Sequence, residues 1–309
     1  MTDFLLLSFP VFGLVALGWA ATWRDFADAD ALRALSGFSF RFALPALVFR
    51  MIAGQPLGHT FNPLFYGGYL ASGTFVFLLV FGLSYFFGRS ALAAAGARAS
   101  TATVSNLGFL GPPLMLAFFG ARGTGPLAMA ILAEVMVLLS LGGIIMGAAN
   151  GTSARGRATI LRGAILNPVV VAIVLGAAAA SLGLKLPTPV ERLVAFLGGS
   201  AGPTALFALG GTLALQRLDW TTVASAAGTT LAKMIVYPVV VWYVLACLLK
   251  LDPSWIQPGV LIASFPSAGS NYLVAQRYGA DAERVSAAIV LSTVVSVLVV
   301  PATAWLVLH

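Results

Sequence analysis

Residues 263–279, ASFPSAGSNYLVAQRYG, place helix-breaking and hydrogen-bonding residues inside a long apolar stretch. Proline removes a backbone donor and blocks the preceding helical turn, while glycine permits the bend. A second interruption, NLGFLGPPL, occupies residues 106–114. Each break would begin a new half-helix whose free N–H groups and partial positive charge suit an anion.

We therefore predict an anion-binding site where the two interruptions meet. The alternative, an ordinary proline kink satisfied by neighbouring Ser and Asn side chains, explains one break well and two related breaks poorly. The candidate binding residues are Asn106, Gly111, Pro112, Pro113, Ser264, Pro266, Ser267, Gly269, Ser270 and Asn271.

Three ionisable residues lie inside apolar stretches, where charge is costly. A central lysine such as Lys233 costs about 2.5–3.5 kcal/mol on insertion scales, so it should face a cavity or a partner. It would neutralise a substrate carboxylate or serve as a structural counter-ion, and both roles stay open. Glu134 would pair with Lys233 or carry a coupling proton. Arg41 lies close enough to a span end to extend its charge towards water, or it contacts substrate.

The composition defines a membrane protein. The chain has 309 residues, of which 60% are hydrophobic and 9% charged, and its mean hydropathy is +0.97. Soluble domains carry roughly 25% charged residues, so this chain could not solvate a globular surface. The net charge of +7 comes from scattered basic residues, which orient helices rather than bind nucleic acid.

Cysteine and histidine usage argues against a metal site or cofactor. The single cysteine, Cys247, excludes an internal disulfide. The two histidines, His59 and His309, are far apart and lack the spacing of metal ligands. Neither an HExxH motif nor a P-loop occurs, so we expect a protein that is not an enzyme and does not consume ATP.

A bilayer core requires about 20 apolar residues per helix, and stretches of that size predict an all-α polytopic protein with ten transmembrane helices. The predicted spans are 4–22, 33–54, 63–87, 99–119, 124–149, 159–182, 191–214, 221–249, 256–279 and 284–308.

The distribution of Arg and Lys predicts the orientation of these spans. Both termini are expected on the extracytoplasmic side of the plasma (inner) membrane, because this choice places most basic residues in the cytosol. The predicted cytosolic set is Arg24, Arg33, Arg89, Arg98, Arg155, Arg157, Arg162, Arg217, Arg277 and Arg284. The smaller outer set is Arg50, Arg122, Lys185, Arg192 and Lys250.

A constant offset of 158 residues links the two halves of the chain. PVFGLVALG at 10–18 matches PVVVAIVLG at 168–176, PALVF begins at Pro45 and PTALF at Pro203, and Gly111 corresponds to Gly269. Such matches also arise by chance in chains rich in Leu, Val, Ala and Gly. Because five spans per half is an odd number, residues 1–150 and 151–309 would form inverted repeats, which are typical of secondary transporters.

Four further patterns are FALPALVF (42–49), NLGFLGPPL (106–114), LAKMIVYP (231–238) and YLVAQRYGADAERVSAAIVLSTVVSVLVVP (272–301). Together they resemble the auxin efflux carrier family, especially its bacterial members related to malonate transporters. The resemblance implies a fold similar to the bile-acid sodium symporters, with crossed, broken helices 4 and 9. It also implies a scaffold bundle of helices 1, 2, 6 and 7 and a transport bundle of helices 3–5 and 8–10.

The resemblance further implies an elevator-type carrier of organic anions, either malonate-like carboxylates or auxin-like acids. Asn106, Gly111, Pro112 and Pro113 would belong to one crossover, and Pro266, Gly269 and Asn271 to the other. The long central loop of many plant members is absent, since NGTSARGRATILRG (150–163) is all that separates the halves. Auxin is therefore not the default substrate.

Several functions remain open from the residues alone. A sodium-coupled symporter of the bile-acid type is one alternative, and coupling to protons or sodium and a homodimer are not decided. A cation/proton antiporter is less favoured, because neither interruption contains Asp or Glu. A channel is disfavoured, because breaks at equal depth on related helices suit alternating access.

Overall fold

The computed structural model describes residues 2–55, 61–149, 151, 154–184, 186–216 and 219–308, and the elements assigned to them are helical. The α-helices are α1 (Thr2–Trp23), α2 (Ala29–Phe38), α3 (Leu44–Ala53), α4 (Pro63–Gly82), α5 (Leu92–Thr103), α6 (Gly111–Phe119), α7 (Thr124–Ile131), α8 (Ser140–Ala149), α9 (Ala154–Ile165), α10 (Pro168–Ser181), α11 (Thr188–Ala214), α12 (Trp220–Leu231), α13 (Tyr237–Trp242), α14 (Pro253–Ala263), α15 (Ser270–Arg277) and α16 (Ala282–Leu308). Wider, π-helical turns occupy Ser39–Ala43, Leu83–Phe87, Leu132–Leu139, Ala232–Val236 and Tyr243–Leu248.

Seven helical stretches within these ranges are long and apolar enough to cross a membrane. They cover residues 4–23, 29–53, 63–87, 111–149, 188–214, 220–248 and 282–308. An eighth arises if α9 and α10, which meet at a bend of 49°, form one span. The class predicted from sequence, an all-helical polytopic membrane protein, is thereby confirmed.

The structure differs from the predicted spans where helices are interrupted. The predicted spans 99–119 and 256–279 appear as two pairs of short helices, α5 with α6 and α14 with α15. Residues 111–149 form one continuous helical run, but Gly120 within it has φ of +56°, a left-handed conformation that ends α6. His59, His309, Lys185 and Arg217, which entered the sequence predictions, lie outside the described residues.

The chain divides into two compact units. The first unit contains the described residues of 1–62, 107–128 and 166–217. The second unit contains those of 63–106, 129–165 and 218–309. Each unit is therefore assembled from separated segments of sequence.

In the first unit, glycines let helix backbones touch. A side chain at Gly18 of α1 would overlap the carbonyl oxygen of Phe207 in α11, and one at Gly210 would overlap that of Val15. A Cβ at Gly176 of α10 would lie 3.0 Å from the carbonyl oxygen of Phe49 in α3. Small residues at such contacts are the usual means of close packing between membrane helices.

In the second unit, a partly buried ion pair connects α5 to the turn before α16. Arg98 Nη2 lies 3.0 Å from Asp281 Oδ2, and Arg98 Nη1 donates to Ser90 Oγ at 2.7 Å. Arg284 lies 3.4 Å from the same carboxylate oxygen. Helix α5 begins at Leu92, before the predicted residue 99, so Arg98 lies within the helix and not in a loop.

Replacing Arg98 with Met should lower the free energy of unfolding by about 1.5–3 kcal/mol, the usual contribution of hydrogen bonds to charged groups. Arg284→Met is the matched control and should cost less than about 1 kcal/mol, because its ion pair is longer and more exposed. Unfolding of the purified variants in detergent measures both values. Equal losses would contradict this reading of the cluster.

Candidate functional site

Two interrupted helices, α5 and α14, come together in the second unit. Of the predicted interruption 106–114, only Asn106 belongs to this unit. Helix α5 ends at Thr103, helix α14 ends at Ala263, and the segments that follow form an isolated antiparallel β-bridge between Ser105 and Ser267. These segments are unwound backbone between helices.

Backbone hydrogen bonds join the crossing segments directly. Asn106 N–H donates to the carbonyl of Pro266 at 2.8 Å, and Ala268 N–H donates to the carbonyl of Val104 at 3.0 Å. Polar backbone at membrane depth must be satisfied within the protein. The two broken helices therefore satisfy hydrogen-bonding groups of each other's backbone.

Buried side chains hold the crossing in place. Ser267 Oγ donates to the carbonyl of Thr101 at 2.7 Å, and Ser267 N–H donates to Ser292 Oγ at 3.1 Å. Ser100 Oγ donates to Asn271 Oδ1 at 2.8 Å. These bonds connect α5, α15 and α16 to one point.

Glu134 lies at the centre of a buried hydrogen-bond network. Its carboxylate accepts bonds from Tyr69 OH at 2.6 Å, Tyr237 OH at 3.2 Å, Ser105 N–H at 2.6 Å and Ser105 Oγ at 3.0 Å. The side chain is 0% exposed and stands in the π-helical turn Leu132–Leu139.

Lys233 lies on the other side of Ser105. Its Nζ donates to Ser105 Oγ at 2.8 Å and to the carbonyl of Ala263 at 2.6 Å, and it lies 4.6 Å from the centre of the Tyr237 ring. Ala263 is the last residue of α14, so the ammonium stands at the negative end of a helix. The hydroxyl of Ser105 joins the cation to the carboxylate of Glu134.

The N-terminus of α15 is open. A side chain at Gly269 would meet nothing within 4 Å, whereas the neighbouring Asn271 is buried. The backbone N–H groups of Gly269 and Ser270 have no hydrogen-bond acceptor among the described residues. Two free donors at a helix start form a local anion-binding geometry.

The remaining predicted residues fall in different places. Ser264 is buried and donates to the carbonyl of Leu261 at 2.7 Å, so its hydroxyl serves its own helix. Arg41 is exposed and lies in the first unit, in the π-helical turn Ser39–Ala43. Gly111, Pro112 and Pro113 begin α6, which belongs to the first unit.

Sequence reasoning missed the residues that connect the charges. Three residues contact Glu134 without having been predicted: Ser105, Tyr69 and Tyr237. Of these, only Tyr237 could have been found from the sequence, because it lies four positions after Lys233 and therefore on the same helical face. Ser292 could also have been found, because it lies 158 residues after Glu134, the offset that links the two halves of the chain. Like Glu134, Ser292 accepts a hydrogen bond from a backbone N–H of a crossing segment.

The chain also contains one sequence pattern that is typical of serine hydrolases. Residues 198–202, GGSAG, match GxSxG, but they lie inside helix α11 and not on a strand-to-helix turn. Ser200 Oγ donates to the carbonyl of Leu197 at 2.7 Å. The pattern is therefore a segment of packed helix.

Interrupted helices around buried polar groups are typical of membrane transporters. A family model described as "Membrane transport protein" matches residues 5–304, nearly the whole chain. The protein belongs to this family, that of the auxin efflux carriers, as the sequence motifs predicted.

Three relatives illustrate the breadth of the similarity. A protein of Rhizobium meliloti (strain 1021) named "Putative malonate transporter" is 31% identical over 99% of this chain and 97% of its own length. The "Lysosomal cholesterol signaling protein" of Mus musculus is 25% identical over 96% of this chain, which spans 36% of the mouse protein. An "Uncharacterized transporter" of Methanothermobacter thermautotrophicus is 29% identical over 65% of this chain and 64% of its own.

The network around Glu134 makes a graded prediction for stability. Tyr69→Phe should lower the free energy of unfolding by about 1.5–3 kcal/mol, because a short bond to a buried carboxylate is lost. Tyr237→Phe removes the longer bond and should cost about 0.5–1.5 kcal/mol. Thermal or denaturant unfolding in detergent compares the two, and a larger loss for Tyr237→Phe would contradict the assigned bond strengths.

Proposed function

We propose that the protein is a secondary transporter of small organic anions, malonate-like carboxylates or auxin-like acids, that works by an elevator-type alternating-access mechanism. The observation that carries the proposal is the open N-terminus of α15, with free N–H groups at Gly269 and Ser270 beside the anchored crossing. A substrate carboxylate would accept from these donors. Similarity to the rhizobial protein named as a malonate transporter supports the choice of substrate class.

The proposed topology has ten spans. Three spans are each formed by two consecutive helices: α5 with α6, α9 with α10, and α14 with α15. Helices α6 and α7 belong to separate spans, which are divided at Gly120. The result is two sets of five spans, which would be inverted repeats at 1–150 and 151–309. The glycine contacts support this: the pair Gly18 and Phe207 becomes the pair Gly176 and Phe49 when the offset of 158 is applied in both directions. With both termini extracytoplasmic, the cytosolic loops carry most of the basic residues.

The two compact units are candidates for the two bundles of an elevator. The first unit contains α1, α2, α3, α10 and α11, which make up helices 1, 2 and 7 and most of helix 6 of the proposed scaffold. It also contains α6 and the start of α7, which belong to helices 4 and 5 of the proposed transport bundle. The second unit contains the crossing, Glu134 and Lys233, so a substrate bound at α15 would travel with them.

The balance of the two fully buried charges in the second unit supports electrogenic transport. Glu134 and Lys233 are the only fully buried charged side chains among the described residues of the chain, and their charges cancel. A bundle with a neutral interior would add no charge of its own to the movement of an anion. Transport of a bound anion should then carry a current.

Reconstitution into liposomes tests the proposal. Malonate, other short mono- and dicarboxylates and indole-3-acetate are added with and without sodium and a pH gradient while charge movement is recorded. We expect a saturable current with at least one anion, and labelled-substrate counterflow confirms it. If neither assay detects an anion while sodium or protons alone move charge, the function is cation transport.

Gly269 offers a sharper test of the binding position. Gly269→Asp should abolish anion transport, because a carboxylate would stand beside the proposed donors, while Gly269→Asn, nearly the same in shape, should retain it. Asp at a helix N-cap stabilises the helix, so loss of activity could not be attributed to unfolding. Uptake by the two variants in proteoliposomes, with thermal unfolding of each, decides the matter; equal transport by both would place the substrate elsewhere.

A further inference from the structure

The surroundings of Lys233 are those of a cation site. Its ammonium is ligated by the carbonyl oxygen of Ala263 and the hydroxyl of Ser105, stands over the face of the Tyr237 ring, and has the Glu134 carboxylate one hydroxyl away. Carbonyl, hydroxyl and carboxylate oxygens are the ligands of hard cations, and aromatic faces attract cations of any kind.

Lys233 itself is committed to these contacts. Two of its three N–H groups donate to protein oxygens, and its side chain is 0% exposed. A lysine placed to receive a substrate would present its ammonium to a cavity. Here the positive charge instead meets the negative end of α14 and, through Ser105, the carboxylate of Glu134.

We propose that this pocket is a monovalent-cation site of the transporter that is permanently occupied by its own tethered ammonium. The ammonium group of Lys233 supplies the positive charge that a free cation would otherwise bring to the crossing. Emptying the pocket by shortening Lys233 should create a binding site for a small free cation, with propylammonium as the best match.

One consequence rests on the proposed function: the carrier needs no sodium at this position. The ammonium is covalently attached and travels with the second unit, so it cannot be released on one side of the membrane. A free ion that is bound and released would couple transport to its gradient; a tethered one cannot. The binding claim itself holds for any function of the protein.

Chemical rescue tests the site. Lys233→Ala removes Cγ, Cδ, Cε and Nζ, which together are propylamine, and leaves Ser105, Ala263 and Glu134 in place. We expect Lys233→Ala to melt at a lower temperature than the parent protein and to regain part of the loss, saturably, with propylammonium. 1-Propanol, of the same size without the charge, and choline, which is too large, should not restore it.

Lys233→Met is the matched control, because its uncharged chain fills the pocket. It should not respond to propylammonium beyond the effect of equal ionic strength. The proposal is overturned if propylammonium stabilises Lys233→Met as much as Lys233→Ala, or stabilises neither. If Lys233→Ala aggregates when purified alone, the yield of monodisperse protein with propylammonium against choline replaces the melting curve, and equal yields overturn the proposal.

A transport arm separates this inference from the proposed function. In proteoliposomes the parent protein should move its anion at the same rate in sodium and in choline, and Lys233→Ala should regain transport when propylammonium is added. Stimulation of the parent protein by sodium, together with a sodium-dependent rise in its melting temperature that Lys233→Met lacks, would show that the pocket takes a free ion. Absence of transport by the parent protein would overturn the proposed function and leave the melting test unaffected.

Discussion

The structure of the second unit depends on the exchange of backbone hydrogen bonds between two interrupted helices. A peptide group without a partner at membrane depth costs several kcal/mol, so neither α5 nor α14 could end there alone. The bonds of Asn106 to Pro266 and of Ala268 to Val104 remove this cost for both. Each interrupted helix therefore requires the other as its hydrogen-bond partner. The buried serines, Asn271 and Glu134 surround the crossing and keep the two segments in register.

Much of this arrangement could be anticipated from residue types. Proline and glycine inside apolar stretches reveal interrupted helices, because local chemistry determines where a helix can continue. The breaks predicted at 106–114 and 263–271 overlap the observed interruptions at 104–110 and 264–269. Contacts between distant segments carry no such local signal. Ser105 is an unremarkable serine in the sequence, yet its backbone and hydroxyl join Glu134 to Lys233. The ion pair of Arg98 with Asp281, far along the chain, could not be predicted for the same reason.

The buried charges show how the same lysine can be read in two ways. From sequence, Lys233 was equally suited to a substrate carboxylate and to a structural counter-ion. Its ligands favour the second role in this conformation, because the end of α14 and the carboxylate of Glu134 already require a positive charge. The proposed anion site would instead draw on the free backbone donors at α15, which are fixed in position and do not change charge with pH. Such a site would bind carboxylates through geometry as much as through net charge.

The contact between α1 and α11 has a further consequence. Where Gly18 meets the carbonyl of Phe207 and Gly210 meets that of Val15, two main chains touch with no side chain between them. Such a joint has no rotamers to freeze, so closing it costs no side-chain conformational entropy. At these two positions no side chain can repack to let the helices approach or separate, so the spacing between α1 and α11 is set there by the main chains themselves.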